Sequence, residues 1–285
     1  MREKKHELLG LTLAECQWGS GNFPVFALHG WQDNAASFAA LGEALERKSS
    51  DYQLIAIDLP GHGHSSHFPA SQFYNLWDYI PVLVARLELA AAPVWLLGHS
   101  LGGMLGTLIA ALRPDLVRGI VTLDIVGLAT DPVDRQLERY LASLTEQLQP
   151  IKRLAPAASL AAAIARRARI GSPVSAPANA QLTSRGVCCV GEGEAAEWHF
   201  RLDPRVRIGS VWRMLDDQAK ALTARLTCPW HAILGESGFF SPNIVERLRL
   251  ELPITTVTWW PGGHHFHMES QPDELWLTLE QRITL

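Results

Sequence analysis

One serine stands in a sequence context that suits nucleophilic catalysis. Residues 98–102 read GHSLG, with Ser100 at the centre. The apolar run 94–97 predicts a buried strand before it, and the apolar spacing over 101–112 predicts a helix after it. A sharp turn between two such elements exposes the hydroxyl, and the glycines leave room where a Cβ would collide. We therefore predict a nucleophile at Ser100; the alternative is an ordinary helix-capping turn.

A serine hydroxyl needs a base within hydrogen-bond reach, and histidine is the commonest one. The loop after the last predicted strand reads PGGHHFHME over 261–269 and holds three histidines. We predict His264 as the base, because it directly follows two glycines and lies five residues before Glu269. His265 is the alternative. His267 is expected to pack or bond within the following helix.

Two backbone N–H groups are candidates for stabilising the oxyanion that forms when a serine attacks a carbonyl. One is the N–H of Leu101, at the start of the predicted helix, where the helix dipole adds to it. The other is the N–H of Trp31, because residues 29–31 read HGW directly after the predicted strand 25–28.

A loop rich in glycine and histidine, DLPGHGHS, occupies residues 58–65. His62 and His64 are two residues apart with no third ligand nearby, so we predict no metal there. Asp58 is an acid at a strand end, and its turn-forming sequence gives it a structural explanation.

After a predicted strand over 8–16, the elements that must position these residues alternate between strand and helix from residue 25 to residue 124. This alternation predicts an α/β fold with a mostly parallel central sheet and flanking helices. The pattern breaks after residue 127 and resumes at 226. We therefore expect core segments at 1–126 and 226–285, and between them a helical cap at 127–225. Residues 171–179, rich in Pro, Ser and Ala, predict a flexible joint in the cap.

Composition excludes several classes of protein. The 285 residues are 47% hydrophobic and 19% charged, which is ordinary for a globular domain. A formal net charge of -4 provides no basic field, so nucleic acid is not an expected partner. No segment reaches the roughly 18 uninterrupted apolar residues of a membrane helix. The four cysteines include no C-x-x-C pair, which favours reduced thiols and a cytoplasmic protein.

The motifs HGWQDN at 29–34, DLPGHGHS at 58–65, GHSLGG at 98–103 and PGGH at 261–264 together resemble the α/β-hydrolase family. Within it, the chain is similar to the serine hydrolase-like subgroup. The resemblance covers both halves of the core and is weakest in the insertion. It implies an esterase or related hydrolase without a cofactor or metal, with a lid over the active site.

The chain departs from the family pattern at the acid of the triad. Family members usually carry an Asp three residues beyond a glycine after the strand that follows the insertion, and here that position is Gly238. Some members, including certain dehalogenases, place the acid at the end of the strand after the nucleophile's helix, which is Asp124 in this chain. We predict Asp124 as the acid that orients His264, with Glu236 as the alternative.

These residues together predict a serine hydrolase that acts on a small-molecule carboxylic ester, or a related acyl compound, through a Ser-His-acid triad and an acyl-enzyme. Three alternatives stay open on the sequence. Two are a C–C bond hydrolase and a perhydrolase that use the same Ser-His pair, and the third is a weakly active, ligand-binding member of the fold. The aromatic side chains of the insertion, Trp198, His199, Phe200 and Trp212, are expected either to line an apolar pocket or to form the insertion's own core. The sequence leaves the oligomeric state open.

Overall fold

The computed structural model describes residues 1–48, 51–171, 173–269 and 271–283, apart from the side chain of Glu194. The strands are β1 (Arg2–Leu8), β2 (Leu11–Trp18), β3 (Phe23–Leu28), β4 (Tyr52–Ile57), β5 (Val94–His99), β6 (Val117–Leu123), β7 (Val187–Val190), β8 (Glu197–Phe200), β9 (Trp230–Ser237) and β10 (Thr256–Gly263). The α-helices are α1 (Ala39–Lys48), α2 (Ile80–Leu87), α3 (Leu101–Leu112), α4 (Gln136–Gln147), α5 (Leu160–Ile170), α6 (Ala176–Gly186), α7 (Asp216–Thr223), α8 (Pro242–Glu251) and α9 (Pro272–Arg282).

Eight strands form one sheet in the order β1-β2-β4-β3-β5-β6-β9-β10. The strands from β4 to β10 in this order pair in parallel, whereas β1 with β2 and β2 with β4 pair antiparallel. The predicted α/β fold with a mostly parallel sheet is therefore confirmed. Parallel neighbours end at the same edge, so β3, β5, β6, β9 and β10 deliver their C-terminal loops to one place.

Helices cover both faces of the sheet, which explains why the central strands are apolar along their whole length. All six residues of β5 are buried. One core cluster contains Val82 of α2 and Leu105 of α3. The cluster on the opposite face contains Leu41 of α1 and Trp276 of α9. Burial on both faces makes the sheet a rigid base for the loops at its edge.

The N-terminal strand was not expected, since the sequence predicts a single strand over 8–16. Instead β1 and β2 form a hairpin, with Leu9 and Gly10 in the turn at φ values of 53° and 77°. Five of the seven residues of β1 are charged, and the strand is mostly exposed. A charged edge strand lacks the alternation of apolar and polar residues that predicts a strand from sequence. Its charges also prevent the edge of the sheet from pairing with another chain.

The segment 127–225 contributes no described strand to the main sheet. It contains α4 to α7 and the hairpin formed by β7 and β8, which the sequence did not predict. The expected flexible joint at 171–179 is wrong over its second half, because α6 begins at Ala176. Ser175 caps this helix by accepting a hydrogen bond from the Ala178 N–H at 3.4 Å. Among the described residues, no helix is long and apolar enough to cross a bilayer.

Candidate active site

Ser100 occupies the turn between β5 and α3, and its backbone has φ 49° and ψ -114°. This positive φ is unusual for a residue with a side chain. The turn is held by the Ser100 N–H, which donates to Leu123 O at 3.1 Å, and by the Ser100 carbonyl, which accepts from Gly103 N–H at 3.0 Å. A Cβ on Gly102 would collide with the Leu28 carbonyl of β3, so the close packing of helix on strand requires glycine there.

His264 follows β10 and lies beside Asp124, the residue directly after β6. Nδ1 of His264 is 2.6 Å from Oδ2 of Asp124. Asp124 is fully buried, and its carboxylate also accepts hydrogen bonds from the N–H groups of Gly235 at 2.9 Å and Phe239 at 3.1 Å. Three donors around one carboxylate mean that it is held in position as well as paired.

These contacts set the charge state of Asp124. Burial alone would raise the pKa of its carboxyl group. The hydrogen bonds from His264, Gly235 and Phe239 outweigh burial, so the pKa lies below its ordinary value. Asp124 is therefore ionised near neutral pH.

The alternative acid, Glu236, is exposed and makes no hydrogen bond with His264. The alternative base, His265, is buried and faces Asp33, with its Nε2 3.6 Å from Asp33 Oδ2. The structure thus pairs His264 with Asp124 and leaves Glu236 exposed. The His265 ring lies 4.9 Å from that of His264 but faces Asp33 instead of Asp124.

His264 reaches the serine turn through His99, the residue before Ser100. Nε2 of His99 donates to the His264 carbonyl at 2.9 Å, and the two ring centroids are 4.6 Å apart. Within the described residues, no hydrogen bond joins the Ser100 hydroxyl to the His264 ring. Such bonds are often long before substrate binds and tighten in the reacting complex.

The two predicted oxyanion donors lie at the ends of neighbouring strands, β3 and β5. Leu101 is the first residue of α3, and neither its N–H nor that of Trp31 donates a hydrogen bond to any described residue. The loop at Trp31 is ordered by His29, whose Nδ1 donates to the Gly30 carbonyl at 2.8 Å. Nε2 of His29 accepts from Leu59 N–H at 3.0 Å. His29 therefore acts as a structural link between two loops.

A buried group of histidines that no sequence pattern predicts surrounds the site. His267 is in a short 3-10 turn, and its ring centroid lies 4.3 Å from that of His99 and 5.5 Å from that of Phe38. Burial, together with the neighbouring imidazoles, lowers the pKa of both His99 and His267 well below the usual range. Only the tertiary fold reveals the cluster, since His99 and His267 come from distant loops.

Within the part of the chain that the structure describes, His99, His264 and His265 are the one group of side chains close enough to share a metal ion. Their ring nitrogens lie within 4.8 Å of one another. A metal ion bound there would take the His264 ring away from proton transfer. His62 and His64 point to separate partners, the Pro60 carbonyl and Glu3.

Asp58 is fully buried and structural in its contacts. Its carboxylate accepts hydrogen bonds from the N–H groups of Ala35 at 2.7 Å and His64 at 2.7 Å. It also accepts from Nε of Arg185 at 2.9 Å, a residue of α6. Arg185 in turn donates to Glu3 of β1 at 2.9 Å, which links segment 127–225 to the main sheet.

A cavity lies between the loop 31–34 and the segment 127–225. Its empty space, counting the open mouth, is about 1080 Å³, and three arginines line it: Arg153, Arg167 and Arg207. Of the four aromatic residues expected to shape an apolar pocket, His199 and Phe200 line the cavity. Trp198 packs against a small apolar cluster within the segment, and Trp212 is exposed. The cavity is therefore more cationic than the sequence predicts.

The chain is similar in sequence and fold to several known proteins. The model of the α/β hydrolase fold family matches residues 24–167. A probable serine hydrolase of Drosophila melanogaster is 32% identical over 277 residues, covering 90% of this chain and 80% of the relative. The crystal structure of a hypothetical protein from Pseudomonas aeruginosa PAO1 has a TM-score of 0.86 at 29% identity, covering 99% of this chain and 98% of that one. A pimeloyl-(acyl-carrier protein) methyl ester esterase of Yersinia enterocolitica is 32% identical over 108 residues, 37% of each chain.

The sheet order and the serine turn between β5 and α3 define a hydrolase of the α/β class. The chain belongs to the α/β-hydrolase family and is similar to its serine hydrolase-like members. It is a hydrolase enzyme.

Proposed function

We propose that this hydrolase cleaves small carboxylic esters by transferring the acyl group first to Ser100 and then to water. The observation that carries the proposal is the 2.6 Å hydrogen bond between His264 Nδ1 and Asp124 Oδ2. A carboxylate bonded to the histidine base in this way orients the imidazole and stabilises its protonated form, as a serine nucleophile needs. The relatives named serine hydrolase and esterase support the same chemistry.

The first step uses the tautomer that this hydrogen bond favours. With the proton of His264 on Nδ1 and donated to Asp124, Nε2 is left as an acceptor. Nε2 takes the proton of the Ser100 hydroxyl as Oγ attacks the ester carbonyl. The N–H groups of Trp31 and Leu101 then donate to the oxyanion of the tetrahedral intermediate.

Collapse of that intermediate breaks the bond to the alcohol, which leaves with the proton from His264. Water then attacks the acyl-enzyme, with His264 again taking and returning a proton, and the acid is released. Asp124 stays ionised throughout and stabilises the imidazolium, as the low pKa of its carboxyl group supports.

The segment 127–225 is the cap of this enzyme in our proposal, and 1–126 with 226–285 form the core. This assignment of the cap is supported by hydrogen bonds between the segment 127–225 and the loop that carries Trp31. The Trp31 indole donates to the Val206 carbonyl at 2.9 Å, and the Asn34 amide donates to the Leu182 carbonyl at 2.9 Å. A cap in this position would exclude water from the acyl-enzyme and shape the substrate pocket.

Covalent labelling tests the proposal. The protein is treated with an alkyl fluorophosphonate, digested, and the modified peptide is located by mass spectrometry. We expect one adduct, at Ser100, that is lost in Ser100→Ala and retained in Ser184→Ala, an exposed serine of α6. A panel of p-nitrophenyl esters of graded acyl length should show a stoichiometric burst. Absence of an adduct at Ser100 under conditions that label a known esterase would end the proposal.

A further inference from the structure

The arginine-lined cavity points to a particular class of substrate. Resting on the function proposed above, we infer that the cavity binds an ionised acidic group of the substrate, remote from the ester that is cleaved. The preferred substrate is then an ester that carries a second, ionised carboxylate. Phosphate monoesters share the chemistry that guanidinium groups recognise, so they form a separate arm of the test.

The balance of charge in the cavity carries the inference. Arg153, Arg167 and Arg207 line it, and Asp33 is the one carboxylate among the described lining residues. Asp33 is already paired, because its Oδ1 accepts from Nη2 of Arg167 at 3.2 Å. The cavity therefore holds two positive charges in excess, in a chain whose formal net charge is -4.

The two arginines that supply this excess charge do not stabilise the fold through polar contacts. Arg153 and Arg207 are exposed, and neither forms an ion pair or hydrogen bond with a described residue. His199 also lines the cavity, and its Nε2 lies 3.3 Å from Glu197, which is outside the lining. Two unpaired guanidinium groups facing one cavity attract an anion and present paired donors to its oxygens.

Arg167 serves a different purpose from the other two. Its guanidinium is held by Asp33 and by the Asn179 side chain, which accepts from Nη1 at 3.1 Å. Burial lowers the pKa of Arg167, while Asp33 opposes that shift. A positive charge fixed at the inner wall adds to the field without having to move when a ligand binds.

The position of the cavity makes it a site for a remote group. Trp31 and Asp33 line it, while Ser100 and His264 do not. Since Trp31 also supplies the proposed oxyanion donor, the cavity adjoins the loop that would hold the reacting carbonyl, and its other walls come mainly from the segment 127–225. An acyl chain with a terminal carboxylate would place its ester at Ser100 and its acid among the arginines.

Matched esters test this inference. One is the p-nitrophenyl ester of adipic acid, with a free carboxylate, and the other is p-nitrophenyl hexanoate, of equal chain length and uncharged. We expect kcat/KM to favour the acidic ester by about tenfold or more. In the double variant Arg153→Gln with Arg207→Gln, this preference should fall about tenfold. The matched change Arg247→Gln, on α8, should leave both esters unaffected.

A binding measurement separates this inference from the proposed function. Calorimetry on Ser100→Ala follows adipate monoamide, hexanamide and hexyl phosphate, none of which needs turnover. We expect the carboxylate to bind more tightly than hexanamide, and the double arginine change to abolish the difference. Tighter binding of hexyl phosphate than of the carboxylate would assign the cavity to phosphate monoesters and overturn the carboxylate.

The outcomes are distinguishable. If neither ester is cleaved by the unmodified enzyme, the proposed function fails, and the calorimetry alone decides whether the cavity binds anions. If both esters are cleaved but the arginine changes do not alter the preference, the inference is wrong and the proposed function stands. Equal binding of adipate monoamide and hexanamide to Ser100→Ala would also overturn it.

Discussion

The Asp124 carboxylate occupies the space that a side chain on residue 238 would need. A Cβ on Gly238 would collide with the carboxylate oxygens of Asp124. In the family pattern, position 238 is where the acid of the triad usually stands, on the loop after β9. Here the carboxylate beside His264 belongs to Asp124, directly after β6, and the N–H groups of Gly235 and Phe239 in the β9 loop donate to it. Glycine at 238 is therefore what an acid at 124 requires.

The first prediction concerns the identity of the acid. Asp124→Asn should lower kcat by about 10⁴-fold, because an amide no longer favours the His264 tautomer or stabilises the imidazolium. Asn tolerates the positive φ of 48° at this position, so the fold should persist. Glu236→Gln is the matched control and should retain kcat. The measurement is steady-state turnover of a p-nitrophenyl ester, with thermal unfolding of each variant as a check. Collapse of kcat in Glu236→Gln alone would assign the acid to Glu236.

The second prediction tests whether residue 238 must lack a side chain for the Asp124 carboxylate to reach His264. Gly238→Ala should reduce kcat by about 10²-fold, because the new methyl group displaces the Asp124 carboxylate from His264. Asp124→Gly should be more severe. Adding Gly238→Asp to Asp124→Gly returns a carboxylate to the same volume from the other strand. It should recover at least roughly tenfold of the lost kcat, since an oriented imidazole is restored. Full activity in Gly238→Ala would show that the carboxylate position is not critical.

The third prediction concerns the attachment of segment 127–225 to the core. Arg185→Met should lower the free energy of unfolding by about 3 kcal/mol, because it leaves the fully buried Asp58 without its cationic partner. Arg47→Gln breaks an exposed pair with Asp273 and should cost well under about 1 kcal/mol. Urea denaturation at pH 7.5 measures both. Equal effects of the two changes would mean that the Asp58 contact does not hold the segment.

The fourth prediction follows from the buried histidines. Burial lowers the pKa of five of them, His29 (to about 3), His62, His99, His231 and His267, which favours the neutral imidazole in the folded protein. In the unfolded chain each titrates near about 6.5, and below that pH the unfolded state binds more protons. The free energy of unfolding should therefore fall as pH falls from about 6.5, by up to about 1.4 kcal/mol per pH unit for each histidine.

A single substitution checks this pH dependence. His267 has both ring nitrogens buried without a hydrogen-bond partner among the described residues. His267→Leu should therefore flatten the slope between pH 5.5 and 4.5, by up to about 1.4 kcal/mol per pH unit. Leu250→Gln, which changes an exposed residue that does not titrate, should leave the slope unchanged. Urea denaturation across this range gives the slopes, and an unaltered slope in His267→Leu would contradict the assignment of a neutral, buried imidazole.

Local sequence was sufficient for much of the core. The helix predicted over 101–112 has the same bounds as α3. The apolar spacing that predicts this helix and the proline at 114 that predicts its end are both local signals in the sequence. The cap of the helix after β3 was also predictable, since Asn34 accepts from the Ala36 N–H at 3.0 Å within its own turn. The charged strand β1 and the hairpin of β7 and β8 were missed. Their formation depends on pairing with a neighbour, which hydrophobic periodicity does not report.

The sequence by itself determined the strand-turn-helix around Ser100 and the set of acids and bases at strand ends. Only the tertiary structure decided which of them meet. Asp124 and His264 are 140 residues apart, and they come together because β6 and β10 both flank β9. Likewise, Arg153, Arg167 and Arg207 share a cavity without sharing any local pattern. Strand order and the packing of segment 127–225 depend on contacts between residues far apart in the sequence. They are set by the burial of whole sheet and helix faces, which the spacing of neighbouring residues does not report.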